Sequence, residues 1–320
     1  MKVPAFWYRR PGLCAVLLWP LSLIWRLGAF LRRAGARPYR TQVPAICVGN
    51  VVVGGAGKTP AALAIAHILQ QAGKKPVFVT RGFGGSKRKT DRVDLDRHSA
   101  LDVGDEALLL AGTAPTFIGR NRAAALRVAE RHGNATHLIL DDGLQNPHIA
   151  PDLAFIVIDG ETGIGNGFVM PAGPLRESLA SGLRRAAAVI LIGSDTHNLA
   201  ARISTPILRA HWQADLADDF PRDAGFLAFA GIGRPEKFYA TCRAVGLALA
   251  ATRDFADHHY FATHELQRLH SDAGKLGARL LTTEKDWVRL PINFRAQVLA
   301  LPARLVFEDE TALKRLLNLP

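Results

Sequence analysis

Cysteine is scarce in this chain of 320 residues, which contains only 3 cysteines. Cys14, Cys47 and Cys242 lie far apart, and no Cys or His spacing is typical of a zinc site. The sequence therefore argues against a structural zinc centre. A sparse and odd set of cysteines also fits a protein of a reducing compartment.

Signatures of nucleic-acid binding are also missing, although the formal net charge is +12 and the pI about 10.1. The basic excess predicts a polyanionic partner, and we expect an acidic membrane or a phosphorylated substrate rather than nucleic acid. The chain has no internal repeat or low-complexity tract. With 48% hydrophobic and 21% charged residues it is typical of a globular protein, and its length allows two domains.

Long apolar runs are limited to the N-terminal segment 1–40, where Leu13–Trp25 is a run of thirteen residues flanked by arginines. Thirteen residues are too few to span a bilayer, which takes about 20. Interleaved Trp and Arg residues favour a helix that lies in the membrane interface. A signal peptide and a core helix packed on the rest of the protein are the alternatives.

The most informative motif is a glycine-rich loop between a strand-like run at 45–48 and a helix-like run at 61–72. This order predicts a P-loop, in which backbone N–H groups and a helix N-terminus surround a polyphosphate. We expect Lys58 to reach the β- and γ-phosphates and Thr59 to hold Mg²⁺. The strict pattern has Gly where Val52 stands. The loop residues expected at the nucleotide are Val53, Gly54, Gly55, Ala56, Gly57, Lys58, Thr59 and Pro60.

Acidic residues follow other predicted elements. Asp141 and Asp142 end the strand-like run at 137–140, and a position at the carboxyl end of a parallel strand would place them beside the P-loop as Mg²⁺ ligands. A solvated turn is the alternative. Asp105 and Glu106 open a helix, where they are a general base, a metal ligand or acids that complement the helix dipole. Further along, Arg176 is a candidate phosphate clamp.

Apolar runs without alternation, separated by helical segments, predict an α/β fold with a parallel sheet covered on both faces. An acidic, proline-containing stretch near 214–221 suggests a linker, after which the pattern of strands and helices restarts. We therefore predict an N-terminal segment 1–40, a P-loop domain 41–213 and a smaller α/β domain 214–304. The last residues, 305–320, are expected to pack back on the P-loop domain.

Taken together, the motifs resemble the tetraacyldisaccharide 4′-kinase family of lipid A biosynthesis over most of the chain. The resemblance is carried by the loop Gly49–Pro60, Arg81-Gly82-Phe83, Gly104-Asp105-Glu106, Asp141–Gln145, Pro171–Glu177, Asp257-His258 and Thr282–Asp286. Two positions depart from the family pattern, because Phe83 stands where Tyr is usual and Asn146 where His is frequent.

The resemblance implies transfer of the γ-phosphate of ATP to the 4′-hydroxyl of a lipid A disaccharide 1-phosphate, at the cytoplasmic face of the inner membrane. It implies a P-loop core, a smaller C-terminal domain and a membrane-docking N-terminal helix. It adds Asn50 and Gln145 to the nucleotide site and assigns activation of the sugar hydroxyl to Asp105 and His258. Lys58 and Arg176 complete the expected catalytic set, with ATP and Mg²⁺ as cofactors. The expected metal ligands are Thr59, Asp141, Asp142 and Glu106.

Two other functions remain open from the residues alone. One is a P-loop NTPase switch or metallochaperone, which usually has an Asn-Lys-x-Asp motif or Cys/His clusters that this sequence lacks. The other is a membrane adaptor with a vestigial P-loop, against which the intact Lys58, Thr59 and Asp141 argue.

Overall fold

A computed structural model describes residues 3–320 and contains two β-sheets, each covered by helices. The strands are β1 (Ala45–Gly49), β2 (Pro76–Thr80), β3 (Asp91–Arg92), β4 (Thr116–Ile118), β5 (His137–Asp141), β6 (Leu153–Asp159), β7 (Ala188–Ile192), β8 (Ile207–Ala214), β9 (Gly225–Ala230), β10 (Ala248–Asp254), β11 (Arg279–Thr283), β12 (Val298–Leu301) and β13 (Ala303–Phe307). The helices are α1 (Leu13–Ala34), α2 (Lys58–Gln71), α3 (Ala100–Val103), α4 (Asp105–Ala111), α5 (Arg122–Glu130), α6 (Leu179–Leu183), α7 (Pro235–Ala244), α8 (Thr263–Lys275), α9 (Glu284–Trp287), α10 (Ile292–Arg295) and α11 (Glu310–Leu316), with short 3-10 turns at Ala5–Tyr8 and Ala200–Arg202.

The larger sheet has the strand order β13-β8-β7-β6-β1-β5-β2-β4-β3. Its strands are parallel except for the outermost pairs, β13 with β8 and β3 with β4. β1 lies at the centre, and its residues alternate between two apolar layers: Ala45 and Cys47 face one, Ile46 and Val48 the other. Burial on both faces explains the continuous apolar runs, so the predicted covered parallel sheet is confirmed.

The smaller sheet is parallel throughout, with the order β10-β9-β11-β12. Its central strand β9 is also buried on both faces, because Phe226 packs in one apolar cluster and Phe229 in another. The predicted α/β fold with a P-loop sheet and a second, smaller α/β unit is therefore confirmed.

The C-terminal residues return to the larger sheet. β13 pairs with β8 in antiparallel register, with Phe307 opposite Ala210. Leu313 and Leu317 of the following segment are buried in the same cluster as α2. The chain thus crosses back from the smaller sheet at Ala303, which is two residues before the start of the expected C-terminal segment.

Four short strands did not appear in the sequence prediction, for physical reasons. β4 has three residues, too few to establish a pattern. β12 and β13 are only partly buried because they lie at sheet edges, and they follow one another with a single residue between them. The stretch 86–97, expected to be a loop, contains the two-residue strand β3.

The N-terminal helix α1 differs from the prediction in length. It has 22 residues instead of thirteen, because Leu27, Phe30 and Leu31 extend its apolar surface beyond Arg26. By length and composition such a helix is long enough to cross a membrane. The prediction that the apolar segment is too short to span a bilayer is therefore wrong.

The faces of α1 are inverted relative to a helix of a soluble protein. The residues buried against the larger-sheet domain are small, namely Ala15 and Ser22, and the Ser22 hydroxyl donates to the Val169 carbonyl at 2.7 Å. Large apolar side chains point outward, with Leu13 75% and Ile24 67% exposed. A core helix would bury those side chains, so the core-helix alternative is wrong.

Candidate active site

The P-loop connects β1 to α2, as the sequence predicts. Gly57 has φ 85° immediately before Lys58 begins the helix, and a Cβ there would lie 2.6 Å from the Ile192 side chain. Both facts make glycine the suitable residue at this position. The loop is held from the other side, because the Val53 amide donates to the Pro174 carbonyl at 2.9 Å.

The two acids after β5 have different surroundings. Asp141 is buried, and its Oδ2 accepts a hydrogen bond from the Thr59 hydroxyl at 2.8 Å. Its Oδ1 is buried without a hydrogen-bond partner among the described residues. Burial and the nearby charge of Glu106 raise the pKa of Asp141. A cation would stabilise this carboxylate, since buried anions are stable only when they are paired.

Asp142 is partly exposed and has a left-handed backbone, with φ 56°. Its carboxylate accepts from Arg176 Nη1 at 2.9 Å and lies 3.9 Å from Lys58 Nζ. Burial opposes ionisation, but Lys58 and Arg176 outweigh it and lower the pKa of Asp142. Asp142 is therefore paired with the two cations that are expected to bind phosphate.

A buried polar network joins the P-loop to α1. Gln145 Nε2 donates to the Asn50 carbonyl at 2.8 Å and to Glu177 Oε1 at 3.1 Å. Glu177 is only 6% exposed and also accepts from Arg33 of α1 at 2.9 Å and from Arg185 at 2.5 Å. Sequence reasoning placed Gln145 and Asn50 at the nucleotide site but did not find the link to the N-terminal helix.

Asp105 and His258 come from opposite domains and are in contact. His258 Nδ1 lies 2.9 Å from Asp105 Oδ2, and His258 has φ 58°, a conformation uncommon for a non-glycine residue. Lys285 Nζ lies 3.3 Å from His258 Nε2. A lysine ammonium only donates, so Nε2 is the ring acceptor and Nδ1 carries the proton donated to Asp105.

The environment of Asp105 keeps it ionised. Asp105 as a whole residue is 4% exposed, and its Oδ2 also accepts from Arg289 Nε at 2.8 Å. Burial opposes ionisation, but the hydrogen bond from His258 and the charges of Lys285 and Arg289 hold the pKa of Asp105 well below its usual range. Asp105 is thus enclosed behind His258, whose Nε2 remains on the open side.

Arg289 and Asp286 are structural partners of this pair that the sequence analysis did not single out for this role. Arg289 is 9% exposed and donates to Asp286 at 2.9 Å and to the Gly231 carbonyl at 2.9 Å. Asp286 belongs to the Thr282–Asp286 motif, and this motif was the only feature of the sequence that could have pointed to this role. Together they fix the loop that carries His258 against Asp105.

One cleft of about 2190 Å³ unites these groups. Its lining includes residues 52–60 of the P-loop as well as His258 and Lys285 of the smaller domain. Lys285 also lies 3.8 Å from Glu106, the residue whose charge acts on Asp141. The P-loop half and the His258 half are therefore adjacent parts of a single site.

The site combines three features: a P-loop that follows the central strand of a parallel sheet, an acid that is hydrogen-bonded to the P-loop threonine, and a His–Asp pair whose histidine lines the same cleft. These features define a P-loop nucleotide-binding protein of the phosphotransferase type.

Comparisons with known proteins identify the family within this class. The model of the family described as tetraacyldisaccharide-1-P 4′-kinase matches residues 14–319. A tetraacyldisaccharide 4′-kinase of Rhodospirillum centenum is 48% identical, with 99% of this chain and 96% of the relative covered. One of Parvibaculum lavamentivorans is 47% identical, with 97% and 95% covered. The chain therefore belongs to the tetraacyldisaccharide-1-P 4′-kinase family, as the resemblance of its motifs indicated.

A solved structure has the same fold. It is the "apo" form of LpxK from Aquifex aeolicus in complex with ATP, with a TM-score of 0.76 at 23% identity, covering 96% of this chain and 99% of that chain.

Proposed function

We propose that the protein transfers the γ-phosphate of ATP to the 4′-hydroxyl of a tetraacyldisaccharide 1-phosphate, the reaction for which its relatives are named. The observation that carries the proposal is the arrangement of one cleft. The P-loop with Lys58 and Thr59 lines this cleft, and so does the His258 ring, which is held by Asp105. A nucleotide and an acceptor hydroxyl can meet between them.

The P-loop is the proposed ATP site. Residues 53–60 surround the polyphosphate with backbone N–H groups, and Asn50 and Gln145 hold the loop in shape. Lys58 and Arg176 leave Asp142 and bind the β- and γ-phosphates. That exchange replaces a carboxylate by phosphate oxygens, so both cations stay paired throughout.

The residues present fit a Mg²⁺ ion. The unpartnered Oδ1 of Asp141 and the Thr59 hydroxyl lie together beside the P-loop, with Glu106 and Asp142 as further acids. Residues 3–320 contain no group of three or more His, Cys, Asp or Glu side chains arranged to hold a metal. Mg²⁺ bound to a nucleotide needs only one or two carboxylates, because phosphates and water complete its shell. When bound, the ion neutralises charge on the transferring phosphoryl group.

His258 is the proposed proton acceptor. Its Nε2 faces the cleft with a free lone pair once Lys285 turns toward substrate, while Asp105 orients the ring and stabilises the imidazolium that forms. Asp105 cannot reach a sugar hydroxyl itself because it is enclosed by His258 and Arg289. It therefore acts through His258 as a positioning and electrostatic group.

We further propose that α1 docks the protein on the cytoplasmic face of the inner membrane. Its outward face carries large apolar side chains, and the chain is strongly basic overall. The contacts of Ser22, Trp25 and Arg33 with the segment 169–177 keep this surface next to the P-loop. We divide the chain into this helix, a P-loop domain and a smaller domain, with 303–320 belonging to the P-loop domain.

The test is transfer of labelled phosphate from Mg-ATP to the lipid acceptor in detergent micelles. Lys58→Ala should lower the rate by about 100-fold or more, since it removes a cation from the transferring phosphate. Lys75→Ala is the matched control, because Lys75 is exposed and outside the cleft. ATP hydrolysis by the wild type without lipid labelling would contradict the proposal and support an NTPase switch.

A further inference from the structure

Lys285 lies where the two halves of the cleft meet. Its Nζ is 3.3 Å from His258 Nε2, 3.9 Å from Asp105 Oδ2 and 3.8 Å from Glu106 Oε1. The charge of Glu106 in turn acts on Asp141, which is hydrogen-bonded to the P-loop threonine. One ammonium group therefore stands between the proposed proton acceptor and the acids beside the phosphate loop.

The backbone that carries Lys285 is fixed by its neighbours. Lys285 follows β11 in the first turn of α9, where the Thr283 side chain caps the helix by accepting from the Asp286 amide at 3.0 Å. The buried Asp286 carboxylate accepts from Arg289 Nη1 at 2.9 Å and from the Gly231 amide at 3.1 Å. The side chain of Lys285 itself is 27% exposed and lines the cleft, so its ammonium end can change partners while its backbone stays in place.

The ammonium group of Lys285 has unused hydrogen-bond donors. A lysine carries three N–H donors, and within residues 3–320 Lys285 makes one hydrogen bond, to His258. The carboxylates of Asp105 and Glu106 lie at ion-pair distance but beyond hydrogen-bond reach. Asp105 has closer partners, because it accepts from Arg289 at 2.8 Å and contacts His258 at 2.9 Å. Lys285 can therefore turn to another anion without leaving Asp105 unpaired.

The other cations by which the smaller domain lines the cleft are engaged by fixed partners. Arg234 and Lys237 both pair with Asp159 across the domain boundary, and Lys237 Nζ lies 3.2 Å from the carboxylate. Arg295 donates to two backbone carbonyls and stacks on a tryptophan ring. Among the cations of this domain that the structure describes in the cleft, Lys285 is therefore the one available to a ligand.

Phosphoryl transfer needs a cation at this position. The transferring group spreads its charge over three equatorial oxygens, and a cation from outside the P-loop commonly stabilises it. Lys58 is the proposed cation on the P-loop side, and His258 takes the proton of the attacking hydroxyl. A cation beside His258 Nε2 lies next to the path between them, because the hydroxyl that His258 deprotonates is the one that attacks the phosphorus.

We propose that Lys285 leaves His258 and binds the equatorial oxygens of the transferring phosphoryl group. The proposal rests on the proposed function and adds a catalytic residue to it. The 4′-oxygen forms a bond to the γ-phosphorus while the bond from that phosphorus to the β,γ-bridging oxygen breaks, and the electron pair of the broken bond leaves with ADP. The hydroxyl proton passes to His258 Nε2, and Lys285 keeps its proton throughout. Departure of Lys285 also frees the ring lone pair that accepts the proton.

The experiment uses Mg-ADP with fluoroaluminate, a mimic of the planar transferring phosphoryl group. Titration calorimetry measures the Kd for ADP with and without fluoroaluminate in the wild type, Lys285→Met and Lys285→Gln. We expect fluoroaluminate to tighten ADP binding by the wild type, and both variants to lose about tenfold or more of this gain. Their Kd for ADP alone should equal that of the wild type, which shows that they are folded. Lys275→Met, at an exposed position at the end of α8 and outside the cleft, is the matched control and should keep the full gain.

Lipid phosphorylation, measured in parallel, separates this proposal from the proposed function. The kcat of Lys285→Met should fall about 100-fold or more with KM for ATP unchanged, because the cation acts in the transition state. A normal kcat overturns the proposal. A fluoroaluminate gain that is equal in the wild type and both variants, or absent from all three, also overturns it, since Lys285 would then act on His258 alone. Absence of lipid labelling by the wild type, together with a gain that depends on Lys285, refutes the proposed function and supports the role of Lys285.

Discussion

Thr59 at the start of α2 and Asp141 at the end of β5 meet within the larger-sheet domain, whereas Asp105 and His258 meet only because two domains touch. The nucleotide half of the cleft is built within the larger sheet and held by the short segment 169–177. The His258 half depends on contacts between residues more than 150 positions apart, including Arg289 with Asp105. The first half is therefore a property of one domain, and the second is a property of their contact.

Removal of Asp105 should separate the two halves most clearly. Asp105→Ala is expected to lower kcat by about 1000-fold, because His258 loses the carboxylate that orients it and stabilises its charge. The affinity for ATP, measured by equilibrium binding, should change little. Asp96→Asn, at an exposed position outside the cleft, is the control. Near-normal turnover of Asp105→Ala would show that the pair does not act in proton transfer.

The buried guanidinium of Arg289 should be the main structural link between the domains. Arg289→Met leaves Asp105 and Asp286 without their shared cation, so we expect the free energy of unfolding to fall by about 3 kcal/mol. Chemical denaturation followed by fluorescence measures this. Arg268→Met, at an exposed position of α8, should have no measurable effect. Equal stability of the two variants would show that the contact between domains does not depend on Arg289.

Glu177 allows a test of the nucleotide half of the cleft, because it links α1 to the hydrogen-bond network of the P-loop. Burial opposes its ionisation, but Arg185, Arg33 and Gln145 outweigh burial and lower its pKa. A lowered folded-state pKa contributes stability above the unfolded-state pKa of about 4.3, and this contribution is lost as the pH falls through the folded-state value.

Glu177→Gln should therefore destabilise the protein by about 2 kcal/mol at pH 7, and the difference from the wild type should shrink as the pH falls below about 4. Thermal unfolding across this pH range measures it. Glu236→Gln, at an exposed position of α7, serves as the control. A difference that does not depend on pH would mean that the charge of Glu177 contributes nothing to stability.

The smallest expected effect concerns the backbone of the P-loop. Gly57→Ala places a Cβ in a left-handed conformation and next to Ile192, which should cost about 1–2 kcal/mol. In Gly55→Ala the added Cβ meets no atom within 4 Å, and the residue has no positive φ. The melting temperature of this variant, measured without nucleotide, should therefore equal that of the wild type. Two variants of equal stability would indicate that the loop relaxes freely.

Local sequence determined much of the larger sheet and its phosphate loop. Residues 45–48 and 138–140 are continuous apolar runs because both faces of their strands are buried, and turn-forming glycines and acids follow them directly. Each of these signals lies within about ten residues of chain. The resemblance to a family, which relies on the order of several such motifs, added the partnership of Asp105 and His258.

Tertiary structure decided what local pattern cannot encode. The residues alone did not choose between Asp105 and Glu106, but burial behind His258 and contact with Arg289 distinguish them. Tertiary structure also decided the length and orientation of α1, since only packing shows that Ser22 faces the protein and Ile24 does not. Such contacts join residues that are distant in sequence. The chemistry of a side chain determines which types of partner can pair with it, but only the fold determines which partner lies within reach.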